Sequence, residues 1–248
     1  MRPSLLDAGL PGAARGLFTT RIGGISPPPW AEFNLARHVQ DEPARVAANR
    51  RLLANDLGVP PDRLAFAEQV HGAGVVIVDE PQPGRPSPFP GVDALATTIP
   101  GVALVVLAAD CLPVLLADPV AGVIAAAHAG RQGLLAGVLP ATVRAMIELG
   151  AEPARMAAVL GPAVCGRCYE LPAELADRVG AGVPGSRSTS RRGKPSVDLA
   201  AGARAQLMAA GLGVVRDVGR CTLEDEQLFS YRREGRTGRH AGAVVLGQ

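Results

Sequence analysis

Three side chains of the kinds that bind metal ions or act as nucleophiles follow predicted strands. His71 comes directly after LAFAEQV, Cys111 after VALVVLAAD and His128 after GVIAAA. Adjacent strands of one sheet bring such end positions together, and binding sites commonly form at strand ends. Two imidazoles and one thiolate suit a zinc ion and leave its fourth position open, as in catalytic zinc sites. The sequence therefore predicts a zinc centre at these three residues.

The same side chains could instead carry out metal-free chemistry. Cys111 beside His128 could act as a nucleophile and its base, with Asp110 or Gln69 orienting the pair. A metal ion on Cys111 would suppress that role, because a ligated thiolate is no longer a free nucleophile. Each residue taken singly is also compatible with simple burial, which is common for free cysteine.

Apolar runs separated by turn signals predict the elements that would position this site. Strands are predicted over residues 16–21, 64–70, 74–79, 102–109, 113–117, 122–127, 157–160, 214–218 and 242–246. Helices are predicted over residues 41–58, 133–149, 172–179 and 197–210. A proline-rich loop is predicted over residues 80–91, and a polar, basic loop over residues 184–195. Without an internal repeat or a linker, we expect one mixed α/β domain spanning residues 1–248.

The composition excludes several classes of protein. Of 248 residues, 48% are hydrophobic and 19% charged, which is enough apolar material for a sizeable core. A net charge of +2 gives no electrostatic reason to expect nucleic acid or an anionic membrane as partner. The amino terminus carries Asp7 within its short apolar part, which is unlike an export signal. We therefore expect a cytoplasmic protein whose four cysteines are thiols or ligands.

Two further segments carry potentially reactive side chains. Cys165-Gly-Arg-Cys168 is a CxxC pair with no second CxxC and no neighbouring histidine pair, so an ordinary loop is favoured over a zinc or redox site. The segment LFSYRREGRTGRHAG is rich in arginine and contains one tyrosine. It is either a solvated basic loop or an anion-binding segment with an aromatic platform.

Nine sequence blocks together resemble one family. They are FTTRIGG, FNLARHVQD, NRRLL, EQVHG, ADCLPVLLAD, AAAHAG, LGPAVCGRCYE, CT at residues 221–222, and FSYRREGRTGR. In this order and spacing they resemble the laccase-domain family, also called polyphenol oxidase, purine nucleoside phosphorylase or peptidoglycan editing factor. The resemblance covers nearly the whole chain. It implies an α/β fold, a four-layer α/β/β/α sandwich with mixed sheets.

The resemblance also implies a metal site and an activity. The QVHG, ADCLP and HAG blocks of that family bind zinc through residues that correspond here to His71, Cys111 and His128. Members phosphorolyse adenosine, inosine, guanosine and methylthioadenosine, deaminate adenosine, and in some cases edit peptidoglycan precursors. Purine nucleosides and phosphate are therefore the expected partners. The family usually has HAGWRG where this chain has HAGRQG, so contacts made by the missing Trp are not expected here.

Substrate contacts follow as a hypothesis. Arg21 and the arginines of SYRREGRTGR, among them Arg232 and Arg233, are candidates to hold phosphate. Asn34 and Gln69 are candidates to contact the rest of the substrate. Two rival activities use the same centre: a Cys–His amide hydrolase acting on muropeptide precursors, and a polyphenol oxidase with a single copper. A multicopper oxidase is rejected, because four histidines cannot supply its ligands.

Overall fold

The computed structural model describes residues 2–79 and 88–247, and all counts here refer to those ranges. The strands, in chain order, are β1 (Leu5–Asp7), β2 (Ala14–Thr19), β3 (Leu64–Phe66), β4 (Val75–Ile77), β5 (Ala94–Thr97), β6 (Ala103–Ala108), β7 (Leu112–Asp118), β8 (Val123–Ala129), β9 (Ala157–Leu160), β10 (Arg187–Thr189), β11 (Pro195–Val197), β12 (Val214–Asp217) and β13 (His240–Leu246). The helices are α1 (Pro43–Leu57), α2 (Arg131–Ala136), α3 (Val138–Glu148), α4 (Ala173–Gly182), α5 (Leu199–Ala209) and α6 (Tyr231–Glu234).

Two mixed sheets contain most of these strands. The first has the order β1-β2-β13-β6-β3, in which only β3 and β6 run parallel. The second has the order β12-β9-β7-β8-β5-β4, with parallel pairs at both edges and antiparallel pairs in the middle. Strands β10 and β11 form a separate antiparallel hairpin. The predicted mixed sheets are confirmed.

Three buried apolar clusters lie between the layers of a sandwich. Phe18 and Leu104 from the first sheet and Leu115 and Ile124 from the second belong to one buried cluster between the sheets. A second cluster joins the outer face of the first sheet to α1. A third joins the outer face of the second sheet to α3, α4 and α5. The layers are therefore α/β/β/α, as expected from the family resemblance.

Burial on both faces explains why the central strands were predictable. Every residue of β6, β7 and β8 is buried, so these strands appear in the sequence as continuous apolar runs rather than alternating ones. Helix α1 also matches its prediction. It has Pro43 in its first turn and ends at Gly58, whose φ of 74° is the left-handed conformation that glycine adopts readily.

Other predictions need correction. The helix expected over residues 133–149 is two helices, broken at Gly137 with a φ of 83°. The loop expected over residues 184–195 contains β10 and the start of β11, so α5 begins only at Leu199. Strands β1 and β5 were not predicted. The proline-rich loop falls largely on residues 80–87, which lie outside the described ranges.

None of the helices in the described residues is both long and apolar enough to cross a membrane.

Candidate metal and substrate site

The side chains of His71, Cys111 and His128, here called the His–Cys cluster, meet at one point. Their ligand atoms all lie within 4.8 Å of one another, and His71 Nε2 is 3.8 Å from Cys111 Sγ. The two imidazole rings stand edge to face with centroids 4.9 Å apart. The predicted proximity is confirmed.

The route by which they meet differs from the prediction. His71 follows β3 in the first sheet, whereas His128 lies within β8 of the second. Cys111 occupies the turn in which the chain passes from β6 in the first sheet to β7 in the second. The expectation that one sheet would gather all three is therefore wrong. The cluster lies where the two sheets face each other.

Local backbone geometry holds the cluster together. His71 has a positive φ of 62°, and Asp110, which directly precedes Cys111, has a φ of 97°. Residues other than glycine rarely adopt such values. Gly130 packs so closely that a Cβ there would lie 2.9 Å from Cys111 Sγ and 3.1 Å from the His71 ring. A glycine is needed at this position because the backbone passes directly beside the ligand atoms.

A buried carboxylate, Asp93, supports both histidines. Its Oδ1 lies 2.8 Å from His128 Nδ1, so that this nitrogen donates to it and Nε2 is left for the cluster. The backbone N–H groups of Val70, His71 and Gly72 also donate to this carboxylate, at 3.2, 3.0 and 2.7 Å. A carboxylate behind a histidine fixes its tautomer, both at metal centres and in Cys–His pairs.

Sequence reasoning missed Asp93, and its choice of orienting residue was wrong. Asp110 instead accepts from the Thr222 and Ser230 hydroxyls at 2.7 Å each, and from the Arg232 N–H at 2.7 Å. The Gln69 side chain is bonded to both backbone groups of Leu107. One signal was present: a single acidic residue, Asp93, directly precedes the apolar stretch that forms β5.

Electrostatics favour charge separation within the cluster. Burial alone would raise the pKa of Cys111, but the charge and hydrogen bonds of His128 and His71 outweigh it and bring that pKa to about 6. Burial would likewise lower the pKa of His128, but Cys111 and Asp93 raise it to about 9. In the absence of a metal, these values give a thiolate beside an imidazolium at neutral pH. Such a thiolate is both a metal ligand and a nucleophile.

A cavity of about 1170 Å³ opens over the cluster. Its wall carries positive charge and aromatic rings, from Arg37, His38, Arg50, Tyr169, Tyr231, Arg232 and Arg239. The Arg232 guanidinium lies 4.4 Å from the centre of the Tyr169 ring, and that of Arg239 6.0 Å from that of Tyr231. The cavity is large enough for a nucleoside-sized ligand together with a small anion.

The predicted substrate residues divide into two groups. Gln69 and Arg232 line the cavity. Arg21, Asn34 and Arg233 are absent from the described residues that line it. Arg21 pairs with Glu234 at 2.6 Å, and the fully buried Asn34 donates to Asp41 at 2.8 Å.

Arg233 is likewise engaged away from the cavity, since its guanidinium donates to the Thr222 and Leu228 carbonyls. Conversely, Arg37 and Arg50 line the cavity but were not proposed as substrate residues. Both lie within blocks that carried the family resemblance, FNLARHVQD and NRRLL, which was the available signal.

A family model described as multi-copper polyphenol oxidoreductase laccase matches residues 15–247. The chain belongs to this family. Among curated relatives, a Streptomyces coelicolor protein named purine nucleoside phosphorylase is 54% identical over 229 residues, covering 92% of this chain and 94% of its own. A Corynebacterium glutamicum protein of the same name is 48% identical over 232 residues, covering 94% of each chain.

Two solved structures of similar proteins share the fold. YlmD from Geobacillus stearothermophilus superposes with a TM-score of 0.87 at 33% identity, covering 95% of this chain and 93% of its own. The Bacillus licheniformis hypothetical protein YfiH gives 0.86 at 30% identity, covering 94% and 92%.

The family's description names a multicopper enzyme, but this chain does not have the donors that several copper ions would need. The chain has four histidines, and two of them lie in the His–Cys cluster. Of the others, His38 lines the cavity, and the fully buried His240 has its pKa lowered to about 4 by burial. The cluster offers one thiolate and two imidazoles, which is a donor set for a single ion.

Proposed function

We propose that the protein is a zinc-dependent purine nucleoside phosphorylase whose active site is the His–Cys cluster and the cavity above it. The observation that carries this proposal is the position of a three-donor cluster beneath a wall of arginines and aromatic rings. The names of the relatives support the same substrates, a purine nucleoside and phosphate.

The donors fit a zinc ion. Cys111 offers a thiolate, His128 offers Nε2 because Asp93 occupies its Nδ1, and His71 completes the set. Three protein donors leave a fourth position for substrate or water, as catalytic zinc requires. A zinc ion held there would act as a Lewis acid on water or on a substrate oxygen. The same soft and borderline donors also suit copper, which is the alternative metal.

The cavity wall is suited to a phosphate anion. Burial, and then the neighbouring Arg37, lower the pKa of Arg50 to about 9. Burial also lowers the pKa of Arg239. Cations held out of water and near one another are unfavourable, and a bound phosphate would offset that cost. The arginines would hold phosphate while Tyr169 and Tyr231 offer flat surfaces to the purine and ribose.

The proposed reaction is phosphorolysis of the glycosidic bond. A phosphate oxygen attacks the anomeric carbon as the glycosidic C–N bond breaks, and the purine leaves with the bonding electrons. The leaving nitrogen takes up a proton, so the products are the neutral free base and ribose 1-phosphate, or 5-methylthioribose 1-phosphate from methylthioadenosine. Adenosine, inosine, guanosine and methylthioadenosine all contain this bond. Deamination of adenosine would use the same cavity, with water adding at the amino-bearing purine carbon and ammonia leaving.

The first test measures free base released from inosine and adenosine with and without phosphate. Cys111→Ala should reduce phosphate-dependent release about 10³-fold or more, because it removes a metal ligand at the reacting centre. Phosphate-independent release, or full activity in this variant, would overturn the proposal.

A matched pair of arginine variants tests the phosphate site. Arg232 and Arg236 are both exposed, both in the basic segment and both over an aromatic ring, but only Arg232 lines the cavity. Arg232→Ala should raise the KM for phosphate about tenfold, the value of one charged hydrogen bond, while Arg236→Ala leaves it unchanged. Equal effects of the two variants would remove Arg232 from the phosphate site.

A second candidate function is supported by the order Asp93–His128–Cys111. A carboxylate, an imidazole and a thiolate in this order are the parts of a cysteine amide hydrolase, in which His128 would protonate the leaving amine. Its substrate would be a muropeptide precursor. This hydrolase would remain active after chelation and lose activity on alkylation of Cys111. The phosphorylase, by contrast, would lose its activity on chelation, because chelation removes its metal.

A further inference from the structure

A second group of metal-binding side chains lies outside the cavity described above. It consists of Cys165, Cys168, Cys221 and Glu224, here called the three-cysteine cluster. Its ligand atoms also lie within 4.8 Å of one another. Cys168 Sγ donates to Glu224 Oε1 at 3.1 Å, and the Cys165 N–H donates to Cys221 Sγ at 3.4 Å.

The fold, rather than the thiols themselves, brings these residues together. Strands β9 and β12 are parallel neighbours, so their carboxyl ends meet at one edge of the second sheet. The CxxC turn follows β9, and the turn carrying Cys221 and Glu224 follows β12. A bridge between Ala163 and Cys221 continues the parallel pairing between the two turns.

The CxxC turn has the geometry of a two-ligand loop. The N–H groups of Cys168 and Tyr169 both donate to the Cys165 carbonyl, at 2.9 and 3.0 Å. This tight turn places the two sulfur atoms on the same side, facing the third. The C-x₂-C spacing is that of structural zinc sites, which take four protein ligands and leave no open position.

The composition of the cluster favours a cation over a disulfide. A disulfide would use two of the sulfur atoms and leave the third beside the carboxylate. A divalent cation uses all four donors. Arg191 pairs with Glu224 at 2.6 Å, which offsets part of the negative charge of such a site.

We propose that Cys165, Cys168, Cys221 and Glu224 hold a structural zinc ion that ties the CxxC turn to the turn after β12. Both turns also support the cavity. Tyr169 packs under Arg232 in the cavity wall, and the Thr222 hydroxyl donates to Asp110 beside Cys111. The zinc would therefore fix the wall of the cavity without contacting substrate.

The test uses full-length protein purified under reducing conditions, with zinc measured as metal per chain. The measurement is made in Cys111→Ser protein, in which the His–Cys cluster lacks a donor. The result therefore does not depend on whether the His–Cys cluster of the wild type binds zinc. About one zinc per chain should remain in this protein. Adding Cys165→Ser and Cys168→Ser should remove it. A Cys111→Ser protein that neither contains zinc nor takes it up on dialysis would overturn the proposal.

Spectroscopy and a milder variant guard against misfolding of the cysteine variants. X-ray absorption at the zinc edge of Cys111→Ser protein should show about three sulfur neighbours and one oxygen. Glu224→Gln should weaken zinc binding, whereas Glu226→Gln, at an exposed position in the same turn, should not. A spectrum dominated by nitrogen and oxygen, or an intact mass lower by two hydrogens that shows a disulfide, would contradict the structural zinc.

Discussion

The two clusters gather similar donors but differ in their surroundings. The His–Cys cluster has three donors and lies on the floor of a large cavity lined with arginine and tyrosine. The three-cysteine cluster has four donors and joins two turns, with its own ligands absent from the cavity lining. Three donors under a cavity leave a position for chemistry, whereas four donors between turns leave none.

They also differ in what orients their ligands. In the His–Cys cluster a buried carboxylate, Asp93, fixes the His128 tautomer and accepts from the loop that carries His71. In the three-cysteine cluster, backbone pairing between two turns sets the positions. A catalytic centre needs its ligands aimed, and a structural centre needs only its segments held close. Replacing Asp93, which orients His128, and replacing Arg191 at the surface should each affect the two clusters differently.

Acid should destabilise the fold as well as release metal. A variant at His240 distinguishes the effect on the fold from the release of metal. Burial lowers its pKa from 6.5 to about 4; nearby Asp110 acts against this shift and Arg239 with it. Because the folded-state pKa lies below the unfolded one, the neutral ring stabilises the fold fully above pH 6.5. That contribution falls as the pH drops from 6.5 to 4, by about 3 kcal/mol in total.

His240→Leu should abolish this acid-dependent loss, since leucine cannot bind a proton. The measurement is urea unfolding of wild type and variant at pH 7 and pH 4. Wild type should lose about 3 kcal/mol more than the variant between the two. Equal losses would show that another group carries the acid sensitivity. If the prediction holds, the variant becomes the protein in which metal release from the two clusters can be compared in acid.

Much of the scaffold could be predicted because its signals are local. The buried strands β6, β7 and β8 are visible as apolar runs, and α1 is bounded by Pro43 and Gly58. The apolar pattern predicts a continuous helix through Gly137, because a single glycine is tolerated in many helices. In the structure the helix is broken at this residue. Neither the passage of the chain from one sheet to the other at Cys111 nor the hairpin of β10 and β11 has a periodic signature.

The candidate sites were only partly predictable for a related reason. Their chemistry-bearing residues are visible, but their partners are distant in sequence. Cys165 and Cys221 are 56 positions apart, and only the parallel pairing of β9 and β12 brings them together. Asp93 and His128 are 35 positions apart and meet across paired β5 and β8. Spacing arguments work within one turn or one strand, and both clusters depend on pairing between strands.

Asp93→Asn should weaken metal binding at the His–Cys cluster and not at the three-cysteine cluster. Loss of a carboxylate behind a ligating histidine typically reduces metal affinity about 10- to 100-fold. An amide nitrogen would also face an N–H donor of Val70 or Gly72, which disturbs the loop carrying His71. The measurement is competition for zinc between the protein and a chelator. The same competition in Cys111→Ser protein reports the three-cysteine cluster alone, so the two ions can be followed separately. Equal weakening of both ions would contradict the separate support of the two clusters.

Arg191→Ala should have the smallest effect of the three variants. Arg191 is more than half exposed and pairs with Glu224 at the protein surface, where an ion pair is worth about 0–1 kcal/mol. If sulfur and carboxylate ligands hold the three-cysteine cluster, its zinc content should be unchanged and its melting temperature nearly so. If the ion pair held the two turns together instead, the variant would lower thermal stability as much as removal of zinc does. Melting curves of Cys111→Ser protein with and without the added Arg191→Ala change, each with and without chelator, distinguish these outcomes. The His–Cys cluster lacks a donor in both proteins, so a loss of stability on chelation in both shows that ligands hold the two turns.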